Sequence, residues 1–284
     1  MTTRELKTMT TEPPKGLALF VRKIIKSRMK SPQEFAKLCA DNGLKWIVFA
    51  TIWYDVTKAG KKQNFVINGP EIIADYAQAM SEEGIKAHIW GYPWHDRINE
   101  FVEQIARYLS DYIVGILLDP ELGLKKHIKE AEDLFNRVRF LNPYLYLGMS
   151  SYGLPAGHRS FPFEAFSDDT IGNPMIECDY GCPQLYDLSQ AQILTGLNDW
   201  SKLGFDHIIP AFGLYKNVIS DGKRHAVSLS PIELESHLMK FVESHVPIHG
   251  AIGWAENFMT PGLWNVLLRW AKVFESGGTI QSVK

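Results

Sequence analysis

The strongest constraint on the fold is a repeat of short apolar runs. Eight stretches rich in β-branched and aromatic residues begin near Gly16, Leu44, Ile85, Val114, Tyr144, Tyr180, His207 and Gly250. Longer segments with helical periodicity separate them, so the chain reads as successive βα units. From Gly16 to Gly250 the interval averages roughly 33 residues, which matches eight units in a barrel of about 250 residues. The expected fold is therefore a single (β/α)8 TIM barrel over residues 16–275, with polar tails over 1–15 and 276–284. Helix signals fall between the runs. Ser31-Pro32 opens a helix ending at Asp41 before Asn42-Gly43, Gly69-Pro70 opens one ending near Glu83-Gly84, and Ser230-Pro231 opens a third. An open Rossmann-type sheet needs a glycine fingerprint after its first strand, and VRKIIKSRMKSP supplies neither GxGxxG nor a P-loop.

Composition narrows the function. Thirty Lys+Arg against 32 Asp+Glu gives a formal net charge of -2, so no global basic field holds a nucleic-acid backbone or an anionic membrane. Three cysteines, Cys39, Cys178 and Cys182, are too few for a disulfide framework and fit a reducing compartment. No apolar run reaches a membrane span and the N-terminus lacks a signal-peptide pattern, so cytoplasmic synthesis is expected, with any export by a separate lysis or secretion route. Cys178 and Cys182 lack a second pair or a placed His, Pro247 interrupts His245 and His249, and Ser150-Ser151 has no GxSxG elbow. Neither metal nor cofactor is expected. The KKHIKEAED run from Lys125 reads as a solvated, charge-paired helix face.

The chemistry-bearing segment is VGILLDPE, residues 114–121. Strand alternation puts Leu117, Asp119 and Glu121 on one face and Ile116 and Leu118 on the other. An apolar run ending in two same-face carboxylates is what a barrel strand entering the active-site mouth requires. Glycoside hydrolysis needs a proton donor and a second group at the anomeric centre, and a neighbouring charge in an apolar surround keeps one carboxyl protonated. Glu121, nearer the mouth, is the candidate acid and Asp119 its partner. The competing reading makes both residues helix caps. In DYGCPQLYD, Gln184 and Tyr186 share a face and Asp187 follows at the turn. Trp254 of GWAENF reads either as the floor under a sugar or as core packing, with Glu256 on the same face. Trp90, Tyr92 and Trp94 alternate at the end of the third run, and Trp53 ends the second; each reads either as groove lining or as aromatic core.

These residues resemble glycoside hydrolase family 18, the chitinases and endo-β-N-acetylglucosaminidases. VGILLDPE is similar to the family's strand-four DGxDxDxE at Gly115, Asp119 and Glu121, QLYD to its strand-six motif, and Trp254 to its strand-eight Trp. The resemblance implies Glu121 as general acid, Asp119 orienting the substrate's 2-acetamido group, Tyr186 assisting, Asp187 and Trp254 touching sugar, and attack by the acetamido oxygen with retention. Val114 and Leu117 stand where the first two motif acids belong, which removes the relay below Asp119. A weaker resemblance runs to family 25 lysozyme-like muramidases, through the DxE pair and IWGYPWHD. Both imply hydrolysis of a β-linked N-acetylated amino-sugar polymer of peptidoglycan or chitin type. The other class of reading is a non-catalytic carbohydrate-binding barrel, which the loss of acids at 114 and 117 favours.

Overall fold

The computed structural model describes residues 14–24, 30–56, 62–166, 178–186, 188–205 and 207–275. All eight expected runs form strands: β1 (Gly16–Val21), β2 (Trp46–Val56), β4 (Lys86–Tyr92), β5 (Ile113–Leu118), β6 (Tyr146–Tyr152), β7 (Tyr180–Gln184), β8 (Ala211–Gly213) and β11 (Gly250–Trp254). They pair in parallel in chain order, and β1 pairs with both β11 and β2, which closes the sheet into a barrel. Seven α-helices occur among the described residues: α1 (Pro32–Asp41), α2 (Pro70–Glu82), α3 (Ile98–Ala106), α4 (Ile128–Leu141), α5 (Gln190–Ser201), α6 (Pro231–Val242) and α7 (Pro261–Glu275). This is the (β/α)8 TIM barrel.

The helix punctuation works through identifiable bonds. Ser31, Ser189 and Ser230 each close a capping box with the Glu or Gln three residues on, satisfying donors that the first turn leaves unpaired. Gly43 and Gly84 adopt φ of 73° and 72° just past α1 and α2, a left-handed turn that any larger residue would strain.

Alternation along the strands divides the core in two. Leu17, Ile47, Ile89, Ile116 and Leu118 face the helices, while Phe20, Trp46, Trp90, Leu117, Tyr146 and Tyr180 fill the barrel. The interior packs by exchange of volume between neighbouring strands. A Cβ at Gly115 would fall on the His88 ring, and one at Gly148 on the Tyr180 ring. His88 is fully buried, with Nδ1 at 3.2 Å from the Tyr180 hydroxyl, and burial lowers its pKa to about 3, so it is a neutral core residue.

The barrel carries two additions. β3 (Lys62–Val66) pairs antiparallel with the end of β2, and β9 (Tyr215–Ser220) with β10 (Lys223–Ser228) forms a hairpin after β8. Asp221 and Gly222 turn that hairpin with φ of 52° and 69°, the two positive values a type I′ turn requires. The three cysteines are buried, and none is in a disulfide. Among the described residues no helix is long and apolar enough to cross a membrane.

Candidate active site

The site is built at the C-terminal ends of the strands, where the barrel's parallel order brings side chains from different units together. β5 ends at Leu118, and the Asp119 N–H donates to the Gly91 carbonyl of β4 at 3.0 Å, which fixes the next residue at the mouth. Asp119 is 5% exposed. Its Oδ2 accepts the Trp90 indole N–H at 3.2 Å and its Oδ1 accepts the Gln184 amide N–H at 3.0 Å. The same Gln184 nitrogen lies 3.1 Å from the Ser150 hydroxyl.

Burial pushes the Asp119 carboxyl well above the ordinary range, and the charge of Glu121 adds to this; the N–H groups of Trp90 and Gln184 oppose it. Glu121 is half-buried and also raised by burial, against the Gln184 amide and the Lys125 charge. Two carboxyls that each disfavour the other's ionisation hold a proton between them into a higher pH range than either would alone. The alternative of two helix caps is not what the backbone does. Leu122–Leu124 is a single 3-10 turn, Glu121 makes no side-chain cap bond to it, and α4 begins only at Ile128.

The other sequence-selected residues fall into distinct positions. Trp90 is 4% exposed and Tyr92 7%, so both are packed inside the barrel. Trp90 holds Asp119, and the Tyr92 hydroxyl accepts the Leu122 N–H at 3.2 Å, tethering the turn that carries Glu121. Trp94 is half-buried against both core clusters. Trp53 is half-buried beside Tyr92 and Trp90, ring centroids 5.7 and 6.4 Å away, and its buried indole nitrogen has no partner among the described residues. Trp254 is half-buried, its ring 3.9 Å from Phe20 and 6.3 Å from Trp90, and the Trp254–Ala255 peptide is cis. Tyr186 lies 5.9 Å from Trp254, ring to ring. Burial, then the neighbouring Cys182, Asp119 and Glu121, push its hydroxyl well above its usual pKa, so it remains a donor. Asp187 lies outside the described residues.

Ser150, Lys125 and Tyr152 were given no site role from sequence, and Glu256 was read only as sharing a face with Trp254. Ser150 was weighed only as a nucleophile, yet it anchors Gln184. Glu256 accepts the Arg22 N–H at 3.1 Å, and burial pushes its carboxyl up to about 7. Lys125 and Tyr152 come together beside Glu121. Lys125 precedes α4 and sits 4.7 Å from the Tyr152 ring centroid, so this part of the charged run is not a solvated helix face. Its spacing of four residues from Glu121 was the available signal.

Comparison of the sequence with protein-family profiles and with curated proteins gives no match. Solved structures do match. The Bacillus cereus spore cortex-lytic enzyme SleL superposes with a TM-score of 0.65 at 12% identity, over 90% of this chain and 74% of that one. An active domain of a thermostable chitinase from Pyrococcus furiosus gives 0.63 at 13%, over 95% and 98%. The fold is that of the chitinase-like barrels. A xylanase and α-amylase inhibitor protein from Scadoxus multiflorus gives 0.58 at 9%, over 94% and 100%, so enzymes and an enzyme inhibitor share this architecture.

Proposed function

We propose that the chain is a retaining glycoside hydrolase acting on a β-linked N-acetylated amino-sugar polymer of peptidoglycan or chitin type. The observation that carries this reading is the pair Asp119 and Glu121 at the barrel mouth, both raised by burial and bridged by the Gln184 amide. Glu121, the more exposed of the two, gives its proton to the glycosidic oxygen as the bond to the anomeric carbon breaks. The substrate's acetamido oxygen attacks that carbon, Asp119 holds the acetamido N–H, and the Tyr186 hydroxyl donates to the acetamido oxygen. Water then opens the cyclic intermediate, returning its proton to Glu121 and leaving the anomeric configuration retained. Trp254 supplies an apolar face for the sugar ring. Leu117 lies in the barrel below Asp119, 2% exposed, so Trp90 and Gln184 fix this carboxylate in place where an acid beneath would let it turn.

Cleavage of peptide-free peptidoglycan strands and of chitooligosaccharides, followed by reducing-end release, tests the reading. Glu121→Gln is expected to lower kcat by about 10²–10⁴-fold, the ordinary contribution of a general acid, with the thermal transition preserved. Retained turnover in that variant refutes the assignment. Leu117 favours one other reading, a carbohydrate-binding barrel without catalysis, and the same fold occurs in an enzyme inhibitor. Saccharide binding with no reducing ends released by the wild-type chain would select it.

A further inference from the structure

Lys125 is held in an unusual way for a half-buried cation. Arg139, the comparable buried cation, is paired with Asp179 at 3.1 Å. Lys125 makes no ion pair among the described residues; neutral groups hold it instead. Its ammonium donates to His158 Nδ1 at 3.3 Å and lies over the Tyr152 ring at 4.7 Å, and the Tyr152 and His158 rings stack at 3.6 Å and 3°. Burial and the Lys125 charge both lower the His158 pKa, so the imidazole stays neutral and its Nδ1 can accept. An aromatic face and a neutral acceptor orient an ammonium without cancelling its charge. At least one of its three N–H groups remains for a ligand.

The position is equally specific. The charge of Lys125 acts on Glu121, and the charges of Glu121 and Asp119 act on the Tyr152 hydroxyl, so the clamp borders the carboxylate pair at the ends of β5 and β6. The Lys126 N–H donates to the Ser160 carbonyl at 2.7 Å, tying the turn that carries Lys125 to the segment that carries His158. Two exposed cations, Lys126 and Arg159, flank the clamp. The whole chain is close to neutral, so three cations on these two linked segments are a local concentration of positive charge.

We propose that Lys125, clamped between Tyr152 and His158, binds a carboxylate carried by the saccharide, and that the polymer is an acidic amino-sugar glycan and not a neutral one. This rests on the carbohydrate-processing reading of the same site. A neutral chitin chain offers Lys125 only hydroxyl and amide oxygens. A glycan whose sugars carry a lactyl ether or uronic carboxylate offers a charge-assisted partner beside the reacting bond.

Binding measured by calorimetry tests this without requiring turnover. The probes are peptide-free peptidoglycan strands with free lactyl carboxylates, the same strands converted to neutral methylamides, hyaluronan oligosaccharides and chitooligosaccharides of equal length. The wild-type chain is expected to bind one carboxylate-bearing glycan about tenfold more tightly than the neutral probes at low salt, with the advantage shrinking as salt rises. Lys125→Met should remove the advantage, so that acidic and neutral strands bind alike, while Lys125→Arg should keep most of it. Whichever acidic glycan shows the Lys125-dependent gain identifies the source of the carboxylate. Equal affinity for acidic and neutral strands, no binding of any strand, or an advantage that survives Lys125→Met overturns the proposal. A Lys125-dependent preference without hydrolysis supports it while refuting the catalytic reading.

Discussion

Glu256 allows a test of the site's electrostatics that needs no substrate. It follows β11, reaches across to the end of β1, and accepts the Arg22 N–H at 3.1 Å. Burial pushes its carboxyl from 4.5 up to about 7. The folded chain therefore binds a proton more tightly than the unfolded chain, and stability falls as pH rises from about 4.5 and levels off above about 7. At about 1.4 kcal/mol per pH unit the full effect would be roughly 3 kcal/mol, and partial exposure screens it to about 1–2 kcal/mol. Glu256→Gln keeps an oxygen for the Arg22 N–H and removes only the charge. Urea unfolding of both proteins at pH 5 and pH 8 isolates the effect, because Asp119 and Glu121 titrate in each and cancel in the double difference. The variant should gain about 1–2 kcal/mol over the wild type at pH 8 relative to pH 5. A stability difference that does not change with pH refutes the argument that burial controls this carboxyl.

Other perturbations test the neighbouring contacts. Gln184→Leu removes an N–H that favours the ionised form of both Asp119 and Glu121. The acidic limb of kcat/KM should move up by about one pH unit, the value of one hydrogen bond to a charge, and an unmoved limb would show that Gln184 does not hold the pair. Gly115→Ala forces a methyl onto the His88 ring and should cost about 1–3 kcal/mol in thermal or urea unfolding. Combining it with His88→Ala should lose less than the sum of the two single changes, and strict additivity would refute the packing argument.

The barrel was legible because burial on both faces of a parallel strand demands the continuous apolar runs that mark all eight positions. Carboxylates at the end of such a run, Asp119 and Glu121, were legible for the same reason: they interrupt a pattern that core packing alone would continue. The hairpin of β9 and β10 was missed although Asp221-Gly222 is a strong turn signal, because its strands are largely exposed and lack alternating hydrophobicity. Trp90 and Tyr92 could not be assigned from sequence. The same period-2 spacing serves a groove wall and a barrel interior, and only the three-dimensional placement reveals the indole N–H on Asp119 and the hydroxyl on Leu122. Lys125 was obscured by its neighbours, since the helical charges after it are real and its own contacts lie 27 and 33 residues away, at Tyr152 and His158.

The paired glycines and rings of the interior carry an evolutionary consequence. Where Gly115 makes room for His88 and Gly148 for Tyr180, each position inherits its neighbour's constraint, and a lone enlargement is blocked while a compensated exchange is open. Divergence inside such a barrel should proceed by reciprocal swaps between adjacent strands. Diverged versions of this chain should then show 88 with 115, and 148 with 180, trading bulk in opposite directions, even where neither residue is itself retained.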